Sequence, residues 1–512
     1  MVGQINDNAG ENGGGDVWSS RAAFILAAIG SAVGLGNLWR FPYVAGENGG
    51  GAFVIFYLIC VILIGLPVLA AELFIGRRGG RSAVGSVVKL ANAEGRSSLW
   101  SLQSWIGMFG SFVILTFYSV IAGWVLAFSL EIGGNLISAV ASNGVGALAG
   151  GAFAGETPDE VSARFVALLR DPNRMILFHG IFIIITVLIV AAGKSGIEKT
   201  VTILMPAFFI MLVILMGFAM VEGDAGAGIN FLLGIRLGDL GAGLSDGSVI
   251  SAALGQAFFS IGLGSALMAT YAAYMNKSTD IPDSTRVIGL ADTAVGVLAG
   301  LALFPIVFSA GLAPGSGPTL MFQTLPLAFQ GMPFGALFGL IFFVLGFFAA
   351  ITSSIALLES STKWVDEQST GNHRLGSAIA IGIVIFIIGV ANALSQVPTT
   401  AADGSAVDNG FNTFYPGGNF PLFLNGDGTP MNLLDFLSKT TDIILPIAGL
   451  ITAIFAGWVV SSAASREELG FKTEAWYQRW RFLIRWVCPV GIGAVVFYST
   501  IFAPFILPKL GG

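Results

Sequence analysis

Apolar residues in this chain come in runs of membrane length separated by short polar intervals, unlike the alternating or one-faced patterns of soluble strands and helices. Such runs lie at 21–46, 51–76, 103–132, 175–193, 199–221, 248–275, 287–312, 334–365, 375–395, 433–462 and 481–507, which predicts eleven membrane-crossing helices. Arg77, Arg78, Arg81, Lys89 and Arg96 follow the second run, and Arg466, Lys472, Arg479 and Arg481 follow the tenth. Short basic loops stay in the cytoplasm, so both are expected there. The segments 133–174 and 396–432, rich in Gly, Ser, Asp and Asn, then fall on the outer side. An odd number of spans leaves the C-terminus outside. Residues 1–16 are polar and the first apolar run begins only after Arg21, so no secretory signal is read and the tail at 1–20 is expected in the cytoplasm. The chain reads as an all-α, multi-pass protein of the cell membrane, in contact with lipid.

Two runs break their own pattern. Residues 29–42 read Ile-Gly-Ser-Ala-Val-Gly-Leu-Gly-Asn-Leu-Trp-Arg-Phe-Pro, with glycines and an asparagine where lipid asks for a continuous helix. Glycine weakens a helix interior by roughly 1 kcal/mol relative to alanine, and backbone freed at membrane depth needs a partner other than lipid. Five spans later, Gln256-Ala-Phe-Phe-Ser-Ile-Gly-Leu-Gly-Ser265 repeats the interruption. Either segment alone is explained by close helix packing, as in the Gly30/Gly34 G-x-x-x-G spacing. The pair, with Asn37 and Ser260 beside it, points to a midplane binding site between inverted repeats. The expected organisation is a tail at 1–20, a first repeat at 21–222, a second at 223–462, and a loop with an eleventh span at 463–512.

Composition agrees: apolar residues make up 55% of 512 and charged residues 11%, with a mean hydropathy of +0.83. The two cysteines, Cys60 and Cys488, lie inside apolar runs, and His179 and His373 are far apart, which argues against a disulfide framework, a metal cluster or an enzyme built on such groups. The acidic balance owes much to the outer loops, and nucleic-acid binding has no support. A channel would need a continuous polar pore, whereas the polar groups here form a central layer with charges above and below.

Trp18-Ser-Ser-Arg21, Gly34-Leu-Gly-Asn-Leu-Trp-Arg-Phe-Pro-Tyr43, Glu47-Asn-Gly-Gly-Gly-Ala-Phe53, Phe258-Phe-Ser-Ile-Gly-Leu-Gly264 and Thr352-Ser-Ser354 together resemble the neurotransmitter:sodium symporter family, in particular its bacterial or archaeal LeuT-like or MhsT-like members. The resemblance runs from about Trp18 to the end. It implies a LeuT-type fold of two inverted five-helix repeats plus an eleventh helix, and sodium-driven amino-acid uptake with no organic cofactor.

A broken helix at Gly34-Leu35-Gly36 would offer free N–H groups and a half-helix N-terminus, which suits a carboxylate. The resemblance places an aspartate at the Gly34 position in monoamine carriers, and glycine here leaves that space for the substrate's own carboxylate. It likewise implies that Tyr118 binds this carboxylate and that Phe259 covers the ligand; packing is the ordinary role of either residue. Ala32, Ile114, Gly262, Ser265, Ser353 and Leu357 are the implied side-chain contacts, a neutral and mostly apolar set. Gly262 and Ser265 stand where LeuT carries bulkier groups, so a large neutral, even aromatic, amino acid is expected.

Two sodium ions are implied. The first resembles a site of Ala32, Asn37, Ser260, Asp292 and the substrate carboxylate; the second resembles Gly30, Val33, Ala349, Thr352 and Ser353. Hydroxyls back-bonding to their own helix are the alternative for the Thr-Ser-Ser run. An ionised Asp292 within a span costs at least about 2.5–3.5 kcal/mol and so needs compensation, by sodium or by a structural ion pair. As a fixed negative charge it would make transport independent of chloride.

For the gates, Arg40 is expected to meet Asp435, with Asp442 a competing partner. On the inner side Trp18, Tyr274 and Asp366 are the implied latch, but relatives carry an arginine where this chain has Gly15, so Asp366 or Glu367 would turn to Arg21 or Lys277. Gly196 and Pro206 in the fifth span resemble the pattern of a helix that unwinds at its cytoplasmic end, a helix-terminal glycine being the alternative. Glu72 resembles the carboxylate that braces the broken sixth span.

Overall fold

Lipid offers backbone groups no partner, so each apolar run must close its hydrogen bonds within itself, which a helix does. The computed structural model describes residues 17–151, 153, 155–235, 238, 240–241, 243, 247–313, 318–369, 373–401, 403–425 and 427–507. Among them, extended pairing is limited to the isolated bridges Thr400–Ala406 and Leu424–Pro430.

Among the described residues, nine continuous helices are long and apolar enough to cross a membrane: Gly51–Gly79, Ser98–Asn143, Pro172–Ala191, Gly193–Glu222, Ile281–Ser309, Gly335–Gln368, Arg374–Ser395, Leu433–Val459 and Glu474–Ile506. A tenth crossing is the pair Arg21–Ala32 and Gly36–Glu47, bent by 52° at its break. The last is the sixth in chain order, also in two pieces, Gly247–Ile261 and Leu267–Ala272.

Several boundaries differ from the sequence reading. The third span continues as helix to Asn143, and the polar stretch beyond it holds a further helix, Pro158–Leu169. Thr157 caps that helix reciprocally with Glu160. The Thr157 backbone N–H and hydroxyl hold the Glu160 carboxyl below its ordinary range. The fourth and fifth spans almost abut, turning at Gly193 with φ +73°.

The expected unwinding of the fifth span is not present: the helix runs unbroken from Gly193 to Glu222 with Pro206 inside it. A Cβ on Gly196 would lie 2.6 Å from the Ala192 Cβ and 2.7 Å from the Ile189 carbonyl oxygen. Glycine therefore serves the tight approach of the preceding span's end. The Thr200 hydroxyl also ties back to the Gly196 carbonyl at 2.8 Å.

The third span is the central post, packed against the fourth, eighth, ninth and tenth. Its buried face presents Ile114 and Tyr118 toward the break in the first span. The eighth span, buried from Ala349 to Ser360, brings Thr352 and Ser353 to the same level.

Candidate functional site

The first span leaves helical geometry at Val33, with φ −73° and ψ 102°. The freed N–H groups find side-chain partners: Gly34 donates to the Asn37 Oδ1 at 3.2 Å and Leu35 to the Tyr118 hydroxyl at 3.1 Å. In the sixth span Gly262, Gly264 and Ala266 all have positive φ, of 74°, 73° and 64°, a backbone that cannot continue a helix. The Gly264 N–H exposed by this turn donates to the Glu72 Oε1 at 2.7 Å, the bracing contact that the sequence suggested.

Between the two breaks lies a cavity of about 40 Å³. Ala32, Gly34 and Gly36 face it from the first span, Ile114 and Tyr118 from the third, Phe259, Gly262 and Ser265 from the sixth, and Ser353 and Leu357 from the eighth. Leu35 contributes its N–H while its side chain packs in the core against Gly346. Ser31, Leu267 and Leu445 also line the cavity and were not read from the sequence, since nothing in their local pattern marks a lining position. A Cβ on Gly34 would sit 2.7 Å from the Ser353 Oγ and 2.9 Å from the Tyr118 hydroxyl; one on Gly36 would sit 2.8 Å from the Phe259 ring. Both glycines are required by space.

Behind the cavity, Asp292 is fully buried. The Asn37 amide donates to its Oδ1 at 2.8 Å and to its carbonyl at 3.1 Å, and the Ser260 hydroxyl lies 2.9 and 2.8 Å from its two carboxylate oxygens. The Tyr57 hydroxyl, 3.4 Å away, completes the ring; it lies on the second span and carries no local signal. None of the ion pairs among the described residues involves Asp292. The buried carboxylate, with the Ser260 and Tyr57 hydroxyl oxygens beside it, offers hard oxygens that could hold a small cation.

A second set gathers at the break of the first span. The Ser353 hydroxyl lies 3.4 Å from the Gly30 carbonyl oxygen and 3.3 Å from that of Val33. A Cβ on Gly30 would lie 3.3 Å from the Thr352 Cβ. The Thr352 hydroxyl bonds back to Phe348 and Ala349 carbonyls of its own helix, at 3.0 and 3.2 Å.

Above the cavity the outer pair differs from the expectation. Arg40 meets Asp442, at 2.9 and 3.1 Å, while the Asp435 carboxylate accepts from the Asn432 amide at 2.8 Å in the first turn of the tenth span. Arg40 also lies 4.4 Å over the Phe259 ring and donates to Gln256 at 3.2 Å. Gln256 in turn donates to the Gly36 carbonyl at 3.3 Å, a link the sequence reading missed.

Below the cavity, Trp18 donates its indole N–H to the Tyr271 carbonyl at 3.0 Å and its backbone N–H to that of Tyr274 at 2.9 Å. The Tyr274 hydroxyl donates to Glu359 at 2.7 Å. Glu359, fully buried, is paired with Arg374, and the Lys363 ammonium lies 3.4 Å from the Tyr274 ring centre. Asp366 and Glu367 do not take the expected partners: Glu367 accepts the Ser82 N–H at 2.5 Å, the Asp366 Oδ1 has no hydrogen-bond partner, and Arg21 is paired with Asp283. Arg21 stands beside the start of the seventh span, out of line with the end of the eighth. Gly15 lies outside the described residues.

The sequence model of the sodium:neurotransmitter symporter family matches residues 15–133 and 172–414. The uncharacterised sodium-dependent transporter YhdH of Bacillus subtilis is 33% identical over 94% of this chain and 97% of its own length. An uncharacterised sodium-dependent transporter of Haemophilus influenzae is 30% identical over 95% and 98%. Among solved structures, the crystal structure of MhsT in complex with L-phenylalanine superposes with a TM-score of 0.79 at 33% identity, covering 95% of this chain and all of that one.

Proposed function

This chain belongs to the sodium:neurotransmitter symporter family, a multi-pass membrane protein of LeuT-type fold that transports with sodium and is not an enzyme, and we propose that it carries a neutral, large hydrophobic or aromatic amino acid together with two sodium ions, independently of chloride, by alternating access. The observation that carries this reading is the meeting of two broken helices on one cavity, where the Gly34–Gly36 backbone, Tyr118 and Ser353 stand together.

The substrate carboxylate would lie against the Gly34–Gly36 backbone and Tyr118, its amine toward the carbonyls of the sixth-span break. The lining around Ile114, Gly262, Leu267 and Leu357 is uncharged, which disfavours an ionic side chain. The cavity is tight, and a ring would need Leu267 to turn aside. Its Cδ1 lies 3.0 Å from where a Cβ on Gly262 would be, so that side chain fills the space glycine leaves. The phenylalanine bound to MhsT supports the same substrate class.

Asn37, Ser260, Asp292 and the Ala32 carbonyl would hold one sodium in contact with the substrate carboxylate, making the two bind together. Gly30, Val33, Ala349, Thr352 and Ser353 would hold the other. Asp292 supplies the fixed negative charge that an external anion would otherwise provide. Each sodium crossing 100 mV yields about 2.3 kcal/mol and a tenfold gradient about 1.4 more, so two ions support accumulation on the order of 10⁵-fold. Arg40, Asp442 and Phe259 would close the outer side, and Trp18, Tyr274, Glu359 and Arg374 the inner. The two breaks at corresponding places support repeats at 21–222 and 223–462, and the basic loops support a cytoplasmic N-terminus, an outer C-terminus and residence in the cell membrane.

Uptake into proteoliposomes under a sodium gradient tests this reading. Saturable, sodium-dependent accumulation of leucine, phenylalanine or tryptophan is expected. Tighter binding of glycine or alanine would refute the substrate class, and flux that does not saturate would favour a channel.

A further inference from the structure

A cavity of about 460 Å³ lies far from the central site, where the second span, the start of the seventh and the segment entering the eleventh meet. Its floor is apolar and fixed. Pro67, Ala70 and Trp480 are buried there, and the Trp480 indole donates to the Pro67 carbonyl at 3.1 Å. From Ala70 to Ile62 the groove follows the helix for about 12 Å, and Ile62, 57% exposed, faces lipid.

The mouth of the groove has a different chemistry. Arg286, Lys472 and Arg479 stand around it. Neither Lys472 nor Arg479 belongs to any ion pair among the described residues, and Arg479 lies 4.8 Å over the Trp476 ring. Arg286 comes no nearer than 4.0 Å to Asp283, which Arg21 already engages. Of the residues lining the cavity the acid is Asp280, occupied in capping the seventh span through the Asp283 N–H at 2.8 Å. Arg286 donates to the Pro282 carbonyl at 3.3 Å, and the three cations, with Trp476 and Trp480 beside them, top an apolar groove.

We propose that this groove binds one anionic glycerophospholipid, its phosphate held by Arg286, Lys472 and Arg479 and one acyl chain laid along Ile62, Leu66 and Ala70. A soluble phosphate would leave the apolar groove bare, and a neutral lipid would leave the cations unmatched, so an amphiphile with an anionic head satisfies both halves. The mouth lies on the face that carries the basic loops, where a cationic pocket between spans meets anionic lipid head groups. The site stands apart from the substrate reading and does not depend on it.

The test is lipid retention by the delipidated, detergent-solubilised full chain, measured by native mass spectrometry with phosphatidylglycerol and phosphatidylcholine of identical acyl chains. Phosphatidylglycerol is expected to be held roughly a hundredfold more tightly, since each of the three cations is worth about fivefold, and R286Q/K472Q/R479Q to lose that preference while its retention of phosphatidylcholine stays unchanged. Lys472→Gln alone, at an exposed position, is expected to lose roughly fivefold without disturbing the fold. Equal retention of the two lipids by the unaltered protein would overturn the proposal, as would undiminished phosphatidylglycerol binding by Lys472→Gln. So would inorganic phosphate competing fully at millimolar concentration, since that would make the mouth a plain anion site.

Discussion

The Arg40 guanidinium reaches both carboxylate oxygens of Asp442, at 2.9 and 3.1 Å, directly above the Phe259 ring that closes the central cavity. The pair is part-exposed, 18% and 29% by side chain, and such pairs are worth about 0–1 kcal/mol. It can therefore open and close without a large barrier. Asp442→Asn is expected to speed substrate release up to about fivefold, and Asp435→Asn to leave it within about twofold, both measured by washout of bound radiolabelled amino acid. A larger effect at Asp435 would return the outer gate to that residue.

Gly34→Ala places a methyl 2.7 Å from the Ser353 Oγ and 2.9 Å from the Tyr118 hydroxyl. Overpacking of this kind costs about 1–3 kcal/mol, so substrate affinity should fall roughly five- to hundredfold. Scintillation proximity binding reads this directly, and an unchanged affinity would place the substrate elsewhere.

Asp292→Asn removes the only carboxylate in the Asn37–Ser260 cage. Two unit charges 4 Å apart at an effective dielectric of 20 interact by about 4 kcal/mol, so sodium affinity should fall at least about tenfold. Replacing sodium by potassium should lower the unfolding temperature of the unaltered protein, since a ligand at a hundred times its Kd stabilises by about 2.7 kcal/mol. The variant should show a much smaller shift. Uptake by the unaltered protein should persist when gluconate replaces chloride, and its collapse would remove the assigned role of Asp292.

Glu72→Leu strands the Gly264 N–H in the bilayer, at a cost of about 1–3 kcal/mol, while Glu72→Gln keeps an acceptor oxygen on it. The leucine variant should unfold at a lower temperature and bind substrate less tightly; the glutamine variant should stay near the unaltered protein in both. Equal damage from the two would mean that the carboxylate's charge, and not its hydrogen bond to the sixth span, is what matters.

Glu359→Gln tests the inner cluster. It leaves an acceptor for the Tyr274 hydroxyl but removes the charge opposite Arg374, so labelling of a cysteine placed at Ser31 by a reagent added from the N-terminal side should rise several-fold. Asp366→Asn, at a carboxylate whose Oδ1 has no hydrogen-bond partner, should leave the labelling rate unchanged.

Much of this protein is legible without coordinates, because its strongest signals are local. Runs of apolar residues set the spans, since lipid tolerates no unsatisfied backbone. The glycines at 30–36 and 262–264 mark both breaks, because helix propensity fails there whatever the surroundings. Glu72 and Asp292 were readable too, each a carboxylate inside an apolar run and so in need of a partner.

What the sequence leaves undetermined is depth along a helix. Asp435 and Asp442 are seven residues apart, as are Glu359 and Asp366, so each pair shares a helix face and periodicity cannot choose between its members. In both cases the tertiary structure engages the acid about 10 Å nearer the membrane middle, where Arg40 and Arg374 come within reach. The unbroken fifth span is a similar case: Gly196 and Pro206 weaken the helix locally, but the close approach of Ala192 and Ile189 decides that the glycine serves packing. Propensity, hydropathy and charge belong to the residue and can be read in order; which partner lies opposite is fixed only when distant spans settle against one another.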